Sequence, residues 1–315
     1  GLGDDTYVYT SGDTIIENAG EGTDTVEGNV NRISLSNFSN VENATFTGSK
    51  GFLITGNSLD NVLTGNDRGN LFWGGGSGND TFIGGSGNDT YYINYNSSDQ
   101  WDVTTIVDGG GTDTIIINKD TNFDLTSVTG HEDIENLQTN SKSGATLIGN
   151  DNNNTITGGS GNDNISGGLG NDIINGGAGN DTLIGGLGDD TYVYTSGDTI
   201  IENAGEGTDT VKSSSTINLS SSSNIEYITL TGSSNVNATG TSDDNIITGN
   251  RGKNTLNGGE GDDTLNGGAG IDRLVGGLGD DTYVYTSGDT IIENVGEGTD
   301  TVKSSSTINL SSSSN

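Results

Sequence analysis

The feature that most constrains this chain is a nine-residue unit that repeats head to tail over residues 158–193. The four copies read GGSGNDNIS, GGLGNDIIN, GGAGNDTLI and GGLGDDTYV. Glycines permit tight turns and close approach of backbone groups, and the fixed aspartate supplies a hard oxygen ligand. An apolar residue follows two positions later and gives each short segment one side chain to bury. One unit therefore predicts a turn, a ligand and a strand.

A longer repeat encloses the nonapeptides. The string GLGDDTYVYTSGDTIIENAGEGTDTV begins at Gly1 and at Gly186, and it returns at Gly277 with Val295 in place of alanine. A diverged copy begins at Gly85. Repeats of this length indicate a solenoid rather than separate globules. These starting points predict four repeat modules, of which the second is diverged and the fourth truncated: 1–84, 85–185, 186–276 and 277–315.

Local propensity favours strands and turns. Glycine costs about 1 kcal/mol in a helix interior, and the 55 glycines of the 315-residue chain recur every few residues. Their neighbours are mostly Thr, Ile, Val, Tyr and Asn, which suit short strands and turns. The fold class predicted is all-β, a solenoid of stacked coils that could continue through all modules.

Charge and composition exclude several functions. Asp and Glu number 44 against 10 Lys and Arg, a net charge of -34, which excludes nucleic acid as a partner and attracts cations. The chain has no cysteine, hence no disulfide or thiolate metal site. His131 is its single histidine, so neither a histidine zinc site nor a catalytic triad can be assembled. We expect no enzyme active site and, without about 20 consecutive apolar residues, no membrane span.

The in-register copies within 75–92, 158–193 and 258–284 resemble the repeats-in-toxin (RTX) calcium-binding nonapeptide. The resemblance implies that two nonapeptides form one coil of a parallel β-roll, with successive loops on alternate sides. It also implies that calcium lies between same-side loops of neighbouring coils. The ligands would be the motif aspartate and backbone carbonyls of the glycine-rich loop.

Simple electrostatics supports a bound cation. Stacked coils lie about 4.8 Å apart, and two carboxylates about 5 Å apart repel by about 3 kcal/mol at an effective dielectric constant of 20. A divalent ion between them reverses the sign. Ligand sets made only of oxygen favour Ca²⁺ over Mg²⁺ or Zn²⁺. We therefore expect several Ca²⁺ ions as cofactors, and folding coupled to their binding.

The predicted metal ligands fall into three groups. The strict motif aspartates are Asp80, Asp89, Asp163, Asp172, Asp181, Asp190, Asp263, Asp272 and Asp281. The glycines whose carbonyls would ligate are Gly159, Gly161, Gly168, Gly170, Gly177, Gly179, Gly186, Gly188, Gly259, Gly261, Gly268, Gly270, Gly277 and Gly279. The variant motif AGEGTD and related loops, spaced close to the length of two nonapeptides, add Asp5, Asp24, Asp113, Asp209 and Asp300.

Other polar positions have two interpretations each. Asp198 and its equivalents Asp13 and Asp289 in SGDTII would face the opposite side, either as ligands or as solvated turn aspartates. Asparagine replaces the motif aspartate at Asn61, Asn70, Asn154, Asn245 and Asn254. We expect a half-populated or absent cation site at Asn61, Asn70 and Asn245, and the alternative is an asparagine ladder that satisfies stacked backbone. Glu42, Glu135 and Glu226 recur in the Ser/Thr/Asn-rich segments. They could bind a cation or form hydrogen bonds between coils.

The function predicted is a calcium-binding structural repeat segment of a secreted bacterial surface, filament, S-layer or adhesin protein. The alternative is an accessory calcium-binding region of a secreted enzyme or toxin, with catalysis in other sequence. The resemblance implies an extracellular or cell-surface location, reached by type I secretion. Exposed coil ends are sheet edges, so end-to-end self-association or contact with cell-surface or matrix components is expected besides calcium.

Overall fold

Short strands separated by tight turns build both halves of the chain. A computed structural model describes residues 1–94, 102–118, 122–220, 222, 224–305 and 308. Its backbone contacts divide the chain into two compact units, Gly1–Ser160 and Gly161–Asn315. Each unit is an all-β parallel solenoid, which confirms the predicted fold class.

The first unit contains fifteen strands among its described residues, and three short 3-10 turns interrupt them at Leu35–Asn37, Leu125–Ser127 and His131–Asp133. In chain order the strands are β1 (Thr6–Val8), β2 (Thr25–Gly28), β3 (Arg32–Ser34), β4 (Asn43–Phe46), β5 (Leu53–Thr55), β6 (Val62–Thr64), β7 (Leu71–Trp73), β8 (Asp80–Ile83), β9 (Thr90–Ile93), β10 (Val103–Val107), β11 (Thr114–Ile117), β12 (Phe123–Asp124), β13 (Asn136–Thr139), β14 (Thr146–Ile148) and β15 (Thr155–Thr157). Within the unit they pair in the orders β1-β2-β4-β6-β8-β10, β3-β5-β7-β9-β11-β13-β15 and β12-β14.

The second unit repeats this arrangement. Its described strands are β16 (Asn164–Leu169), β17 (Ile173–Asn175), β18 (Thr182–Leu187), β19 (Thr191–Tyr194), β20 (Thr199–Ile201), β21 (Thr210–Ser213), β22 (Ile217–Asn218), β23 (Tyr227–Leu230), β24 (Ala238–Thr239), β25 (Ile246–Thr248), β26 (Thr255–Glu260), β27 (Thr264–Asn266), β28 (Arg273–Leu278), β29 (Thr282–Val284), β30 (Thr290–Ile292) and β31 (Thr301–Lys303). They pair as β16-β18-β20, β17-β19-β21-β23-β25-β27-β29-β31 and β22-β24-β26-β28-β30.

Strand register shows that two nonapeptides make one coil. Ile165 pairs with Leu183 across β16 and β18, so equivalent residues two nonapeptides apart lie side by side. After the nonapeptide array the coil length changes. On one face Leu183 pairs with Ile200, one residue less than two nonapeptides, and on the other face Tyr192 pairs with Val211, one residue more. The shared string therefore adds another coil, with turns of unequal length. Strands β18 and β28 run across the predicted module boundaries at 185/186 and 276/277, so within this unit the coils continue from one module to the next.

In the central nonapeptide array each strand buries one apolar side chain, whereas strands such as β9 and β11 bury two. The apolar residue two positions after each motif aspartate is fully buried, as the sequence predicts: Ile165, Ile174, Leu183 and Tyr192. Burying such a side chain contributes about 1.5–3 kcal/mol. Because each nonapeptide buries only one, other interactions must stabilise the glycine-rich turns. Among the described residues, no helix is long and apolar enough to cross a bilayer.

Candidate cation sites

Glycines of the strict GGxGxD loops leave room for a carboxylate and for the neighbouring coil. A Cβ added at Gly176, the first glycine of its loop, would overlap the Asp181 carboxylate, which folds back over the loop. A Cβ added at Gly186 would overlap the carbonyl oxygen of Gly168 in the coil beneath. Gly186 also has φ 105°, in the region that only glycine adopts readily. Only glycine therefore permits both this loop conformation and this close stacking of the coils.

Most of the predicted ligand glycines share that backbone conformation. Positive φ angles occur at Gly168, Gly170, Gly177, Gly179, Gly186, Gly188, Gly259, Gly261, Gly268, Gly270, Gly277 and Gly279. Gly159 and Gly161 lie outside this region, although a Cβ at Gly159 would overlap the Ser141 carbonyl oxygen. Whether the carbonyls of these glycines bind a cation stays a prediction.

Motif aspartates stack in rows that we call carboxylate ladders. The backbone N–H of each motif residue donates to the Oδ1 atom of the aspartate one coil later. Asp163 donates to Asp181 and Asp172 to Asp190, both at 2.7 Å. Same-side aspartates are therefore one coil apart and alternate loops lie in separate ladders, as predicted. One oxygen of each acceptor carboxylate is thereby fixed.

The variant loops extend these ladders. The donor–acceptor pairs are Asp5–Asp24 (2.9 Å), Asp89–Asp113 (2.6 Å), Asp190–Asp209 (2.8 Å) and Asp281–Asp300 (3.0 Å). The strict aspartates Asp80, Asp89, Asp263 and Asp272 accept in the same way from Asn61, Asn70, Asn245 and Asn254. These aspartates therefore continue the ladders from coil to coil, and their role as metal ligands stays a prediction.

The second carboxylate oxygen has no protein partner at many ladder positions. Among the described residues, buried Oδ2 atoms without a hydrogen bond belong to Asp24, Asp80, Asp89, Asp113, Asp181, Asp190, Asp263, Asp272 and Asp281. Each of these nine side chains is at most 1% exposed. A buried, ionised group without a partner is strongly unfavourable. None of the nine forms an ion pair with a described lysine or arginine, so the described side chains do not supply the missing positive charge.

Burial shifts the ionisation of these groups. Desolvation raises the pKa of Asp80 from 3.8 to about 8, that of Asp263 to about 7 and that of Asp190 to about 6. Neighbouring carboxylates raise the same pKa values further. A hard cation would reverse both effects, because it restores the lost solvation and cancels the repulsion. The donor set, made only of oxygen atoms, fits Ca²⁺.

Loop 56–61, which has asparagine at the motif position, is satisfied by the protein itself. In loop 56–61, the side-chain amide of Asn57 donates to the Val41 carbonyl at 2.7 Å and to the Phe38 carbonyl at 3.2 Å. The Asn61 Oδ1 atom accepts from the backbone N–H of Asn57 at 2.7 Å, and its amide donates to Asn57 Oδ1 at 3.1 Å. Amide N–H groups thus fill the space above the carbonyls of the coil beneath. We call such loops amide-plugged.

Donation from an asparagine side chain to the coil beneath recurs at other asparagine loops, although in loop 65–70 the Asn70 Oδ1 atom has no partner. Three further side-chain amides each donate to two backbone carbonyls: Asn66 to those of Gly48 and Lys50, Asn150 to those of His131 and Ile134, and Asn250 to those of Thr231 and Ser234. In loop 240–245 a threonine replaces the first asparagine, and Thr241 donates its N–H to Asn245 Oδ1 at 2.7 Å. The amide-ladder interpretation of these loops therefore fits the structure better than a weak cation site.

The remaining acidic positions act mainly as hydrogen-bond acceptors. Asp198 accepts from the backbone N–H of Asp181 at 3.1 Å and from that of Thr195 at 2.7 Å, as a turn aspartate does. It lies in the ladder of Asp181 and not in that of Asp209, hence on the opposite side as predicted. The inter-coil interpretation of the recurrent glutamates also holds, because Glu42, Glu135 and Glu226 accept from the N–H groups of Asp24, Asp113 and Asp209.

Sequence reasoning missed four acidic residues that complete carboxylate clusters. Each cluster offers three carboxylate oxygens within 4.8 Å of one another. The residues are Asp5–Glu17–Asp24, Asp89–Asp108–Asp113, Asp190–Glu202–Asp209 and Asp281–Glu293–Asp300. Glu17, Glu202 and Glu293 follow the strand sequence DTII, where an acidic residue resembles an ordinary strand end. The available signal was the tyrosine at a constant spacing before each glutamate, whose hydroxyl donates to that glutamate in each copy.

Substitutions in the two kinds of loop should differ in effect. Asp172→Ala removes a buried carboxylate from a strict loop, and we expect calcium affinity in the central array to fall by at least about tenfold, since ligand charge sets affinity. Asn154→Ala removes hydrogen bonds of an amide-plugged loop and should lower stability by about 1–3 kcal/mol with little loss of calcium affinity. Calorimetric calcium titration and denaturant unfolding of both variants measure the two effects. Equal losses of affinity would contradict this ranking.

Stacked parallel coils with buried carboxylates above glycine-lined turns define the class of this protein as a β-solenoid with rows of acidic side chains. The family model of the RTX calcium-binding nonapeptide repeat (4 copies) matches residues 55–91, 144–174, 166–201, 239–274 and 258–292. The chain therefore belongs to the RTX calcium-binding repeat family. No curated protein matches the chain. The matched segments include all the strict loops and also amide-plugged loops.

Proposed function

We propose that this chain is a calcium-binding structural repeat segment of a secreted bacterial surface, filament, S-layer or adhesin protein that folds when calcium binds. The observation that supports this most is the set of nine buried carboxylate oxygens without a partner, stacked coil upon coil. A chain that needs many cations at fixed spacing gains a regular and stiff backbone when they bind.

An extracellular location suits such sites. Extracellular calcium modules bind in the range of about 10⁻⁴–10⁻³ M, and many weak sites of this kind fill outside the cell and stay empty in the cytosol. A chain without cysteine or proline can fold after export without disulfide formation or proline isomerisation. These properties agree with type I secretion of an unfolded chain.

The structural role is favoured over an accessory role in a secreted enzyme or toxin by the way the repeats are organised. The shared string that begins at Gly1 occurs three times, and amide-plugged loops precede strict loops in more than one module. A repeat of repeats extends a rod, whereas one array suffices to support an attached enzyme. Sheet edges at the coil ends suit end-to-end association or contact with matrix components.

Calcium stoichiometry combined with particle shape tests this proposal. We expect equilibrium dialysis to show several Ca²⁺ ions per chain and electron microscopy to show rods only when calcium is present. Magnesium at equal concentration should leave the chain unfolded, because Mg²⁺ sheds its water reluctantly. Binding of one ion or none, or identical particles with and without calcium, would rule the proposal out. Lateral or end-to-end growth of the rods would distinguish a filament subunit from a monomeric stalk.

A further inference from the structure

One acidic side chain occupies a position that strict loops reserve for glycine. Ile184 pairs with Ile201 between β18 and β20, so the next residues, Gly185 and Glu202, lie one above the other. A Cβ at Gly185 would overlap both the Asp190 carboxylate and the Tyr192 hydroxyl. Glu202 therefore brings its carboxylate from the upper coil into the space above the 185–190 loop.

The resulting cluster is buried and incomplete. Asp190, Glu202 and Asp209 offer oxygens within 4.8 Å of one another, and Glu202 is only 8% exposed. The Tyr192 hydroxyl donates to Glu202 Oε1 and fixes that carboxylate. The other oxygen, Oε2, has no hydrogen-bond partner, and the same holds for Asp190 Oδ2. Two neighbouring carboxylates from different coils thus each keep one buried oxygen without a partner.

The combination of tyrosine and added carboxylate recurs in an independent sequence context. In the diverged module, Tyr91 donates to Asp108, which is a different acid and lies further along the chain from its tyrosine than Glu202 lies from Tyr192. Asp108 nevertheless joins Asp89 and Asp113 in the same kind of cluster. Both of these aspartates keep an unpartnered Oδ2 atom. The hydrogen bond from a tyrosine to an added carboxylate therefore occurs also where the sequence of the shared string is not repeated.

The strict loop of Asp80 has only one part of this arrangement, because the Asp102 carboxylate lies over Gly74 but Phe82 takes the place of the tyrosine. Three further strict loops lack both parts. Leu183, Leu265 and Leu274 occupy the core position that tyrosine takes in the clusters. The space above their first glycine receives one aspartate carboxylate and no glutamate. In the first copy, the Gly1 ammonium lies 3.0 Å from Glu17 Oε2 and already supplies a positive charge.

We propose that the clusters around Asp190, Asp281 and Asp89 are a second class of cation site, here called composite sites, formed by three carboxylates and positioned by a tyrosine hydroxyl. The proposal depends on the proposed calcium binding and deepens it. Higher ligand charge raises affinity for hard cations, so composite sites fill with Ca²⁺ before strict loops. They also favour trivalent lanthanides, which match three negative charges.

Composite sites have a defined place in the repeat. Asp190 belongs to the last strict loop of its array, whereas Glu202 and Asp209 belong to the next coil. Asp209 in turn accepts the ladder hydrogen bond from Asp190 and donates to Glu226, in the Ser/Thr/Asn-rich segment. A cation bound here joins the end of the calcium array to the segment that has no strict loops.

Terbium provides a selective probe of composite sites, because a bound Tb³⁺ ion beside a tyrosine hydroxyl emits when tyrosine is excited. The full chain and a variant with Glu202→Gln, Glu293→Gln and Asp108→Asn would be titrated with Tb³⁺ and, separately, with Ca²⁺ by calorimetry. We expect the variant to lose most of the tyrosine-excited emission and its tightest class of calcium sites. Glu260→Gln, the same chemical change at an exposed position of a strict loop, is the matched control and should keep both.

Tyr192→Phe tests the positioning role without altering charge, and it applies even where the triple variant fails to fold. Removing the hydroxyl that orients a ligand should weaken calcium at that site by about 10–100-fold, while the circular-dichroism spectrum with saturating calcium stays unchanged. Emission and affinity equal to those of the parent in all variants would overturn composite sites alone. Absence of calcium binding by the parent chain would instead overturn the proposed function.

Discussion

Removal of calcium by a chelator at about pH 8 is expected to abolish most of the β-sheet circular-dichroism signal. At that pH the buried ladder aspartates must ionise, and the pKa values of Asp263 and Asp190, about 7 and about 6, show that the fold resists this. Each unit by which folding raises the pKa of a carboxyl group makes its ionised form less favourable by about 1.4 kcal/mol. Several such groups together are comparable to the stability of an ordinary domain, about 5–15 kcal/mol. In the arrays at residues 158–193 and 258–284, a core of one apolar side chain per strand does not offset this cost.

Restoring calcium should restore the spectrum, whereas an equal concentration of Mg²⁺ should not. The amide-plugged loop 56–61 provides an internal comparison, because its asparagine side chains are paired without any cation. Residual signal after chelation should therefore come from coils of residues 53–66 and their equivalents. Retention of the full spectrum in excess chelator would show that the ladders are stable without metal.

Acidification of the chelated protein to about pH 5 is expected to recover part of the β-sheet signal. The folded-state pKa values of the buried carboxylates are raised above their unfolded values, so the folded state binds more protons at intermediate pH. Stability of the metal-free fold therefore falls as pH rises from about 4 through the raised pKa values. Four groups that contribute are Asp80, Asp263, Asp190 and Glu202. Burial raises the pKa of Asp80 to about 8, that of Asp263 to about 7, that of Asp190 to about 6 and that of Glu202 to about 9.

Two controls separate this effect from general charge repulsion. High salt at about pH 8 screens exposed charges but hardly affects buried ones, so salt alone should recover much less signal than acid. In saturating calcium the slope should have the opposite sign, because protons compete with Ca²⁺ for the same oxygens. The prediction fails if the metal-free protein is less structured at about pH 5 than at about pH 8.

The regular part of the fold could be predicted because one short pattern determines it. Glycine, aspartate and an apolar residue at fixed spacing impose a coil of two nonapeptides, and the pairing of Ile165 with Leu183 follows directly. The stacking of Asp163 on Asp181 is a consequence of the same period. Local pattern and long-range pairing coincide in a solenoid, since each coil contacts only its neighbours.

The residues that sequence reasoning missed lie where the period changes. Glu202 reaches its cluster in a coil whose register is one residue shorter than the regular period on one face and one residue longer on the other, which no fixed repeat specifies. The amide-plugged loops could not be assigned from sequence either, because asparagine can serve as a calcium ligand or as a hydrogen-bond donor. Only the position of the Asn57 amide above the Val41 carbonyl decides between these roles.

Hydrogen–deuterium exchange of the chain at neutral pH, with calcium and with chelator, tests most directly whether cations hold the carboxylate ladders together. In calcium, amides of residues 164–194 and 255–284 should exchange slowly, because their strands and ladder hydrogen bonds are intact. In chelator, the same amides should exchange at rates near those of an unfolded chain. Equal protection of these residues in both conditions would contradict the central role of the cation.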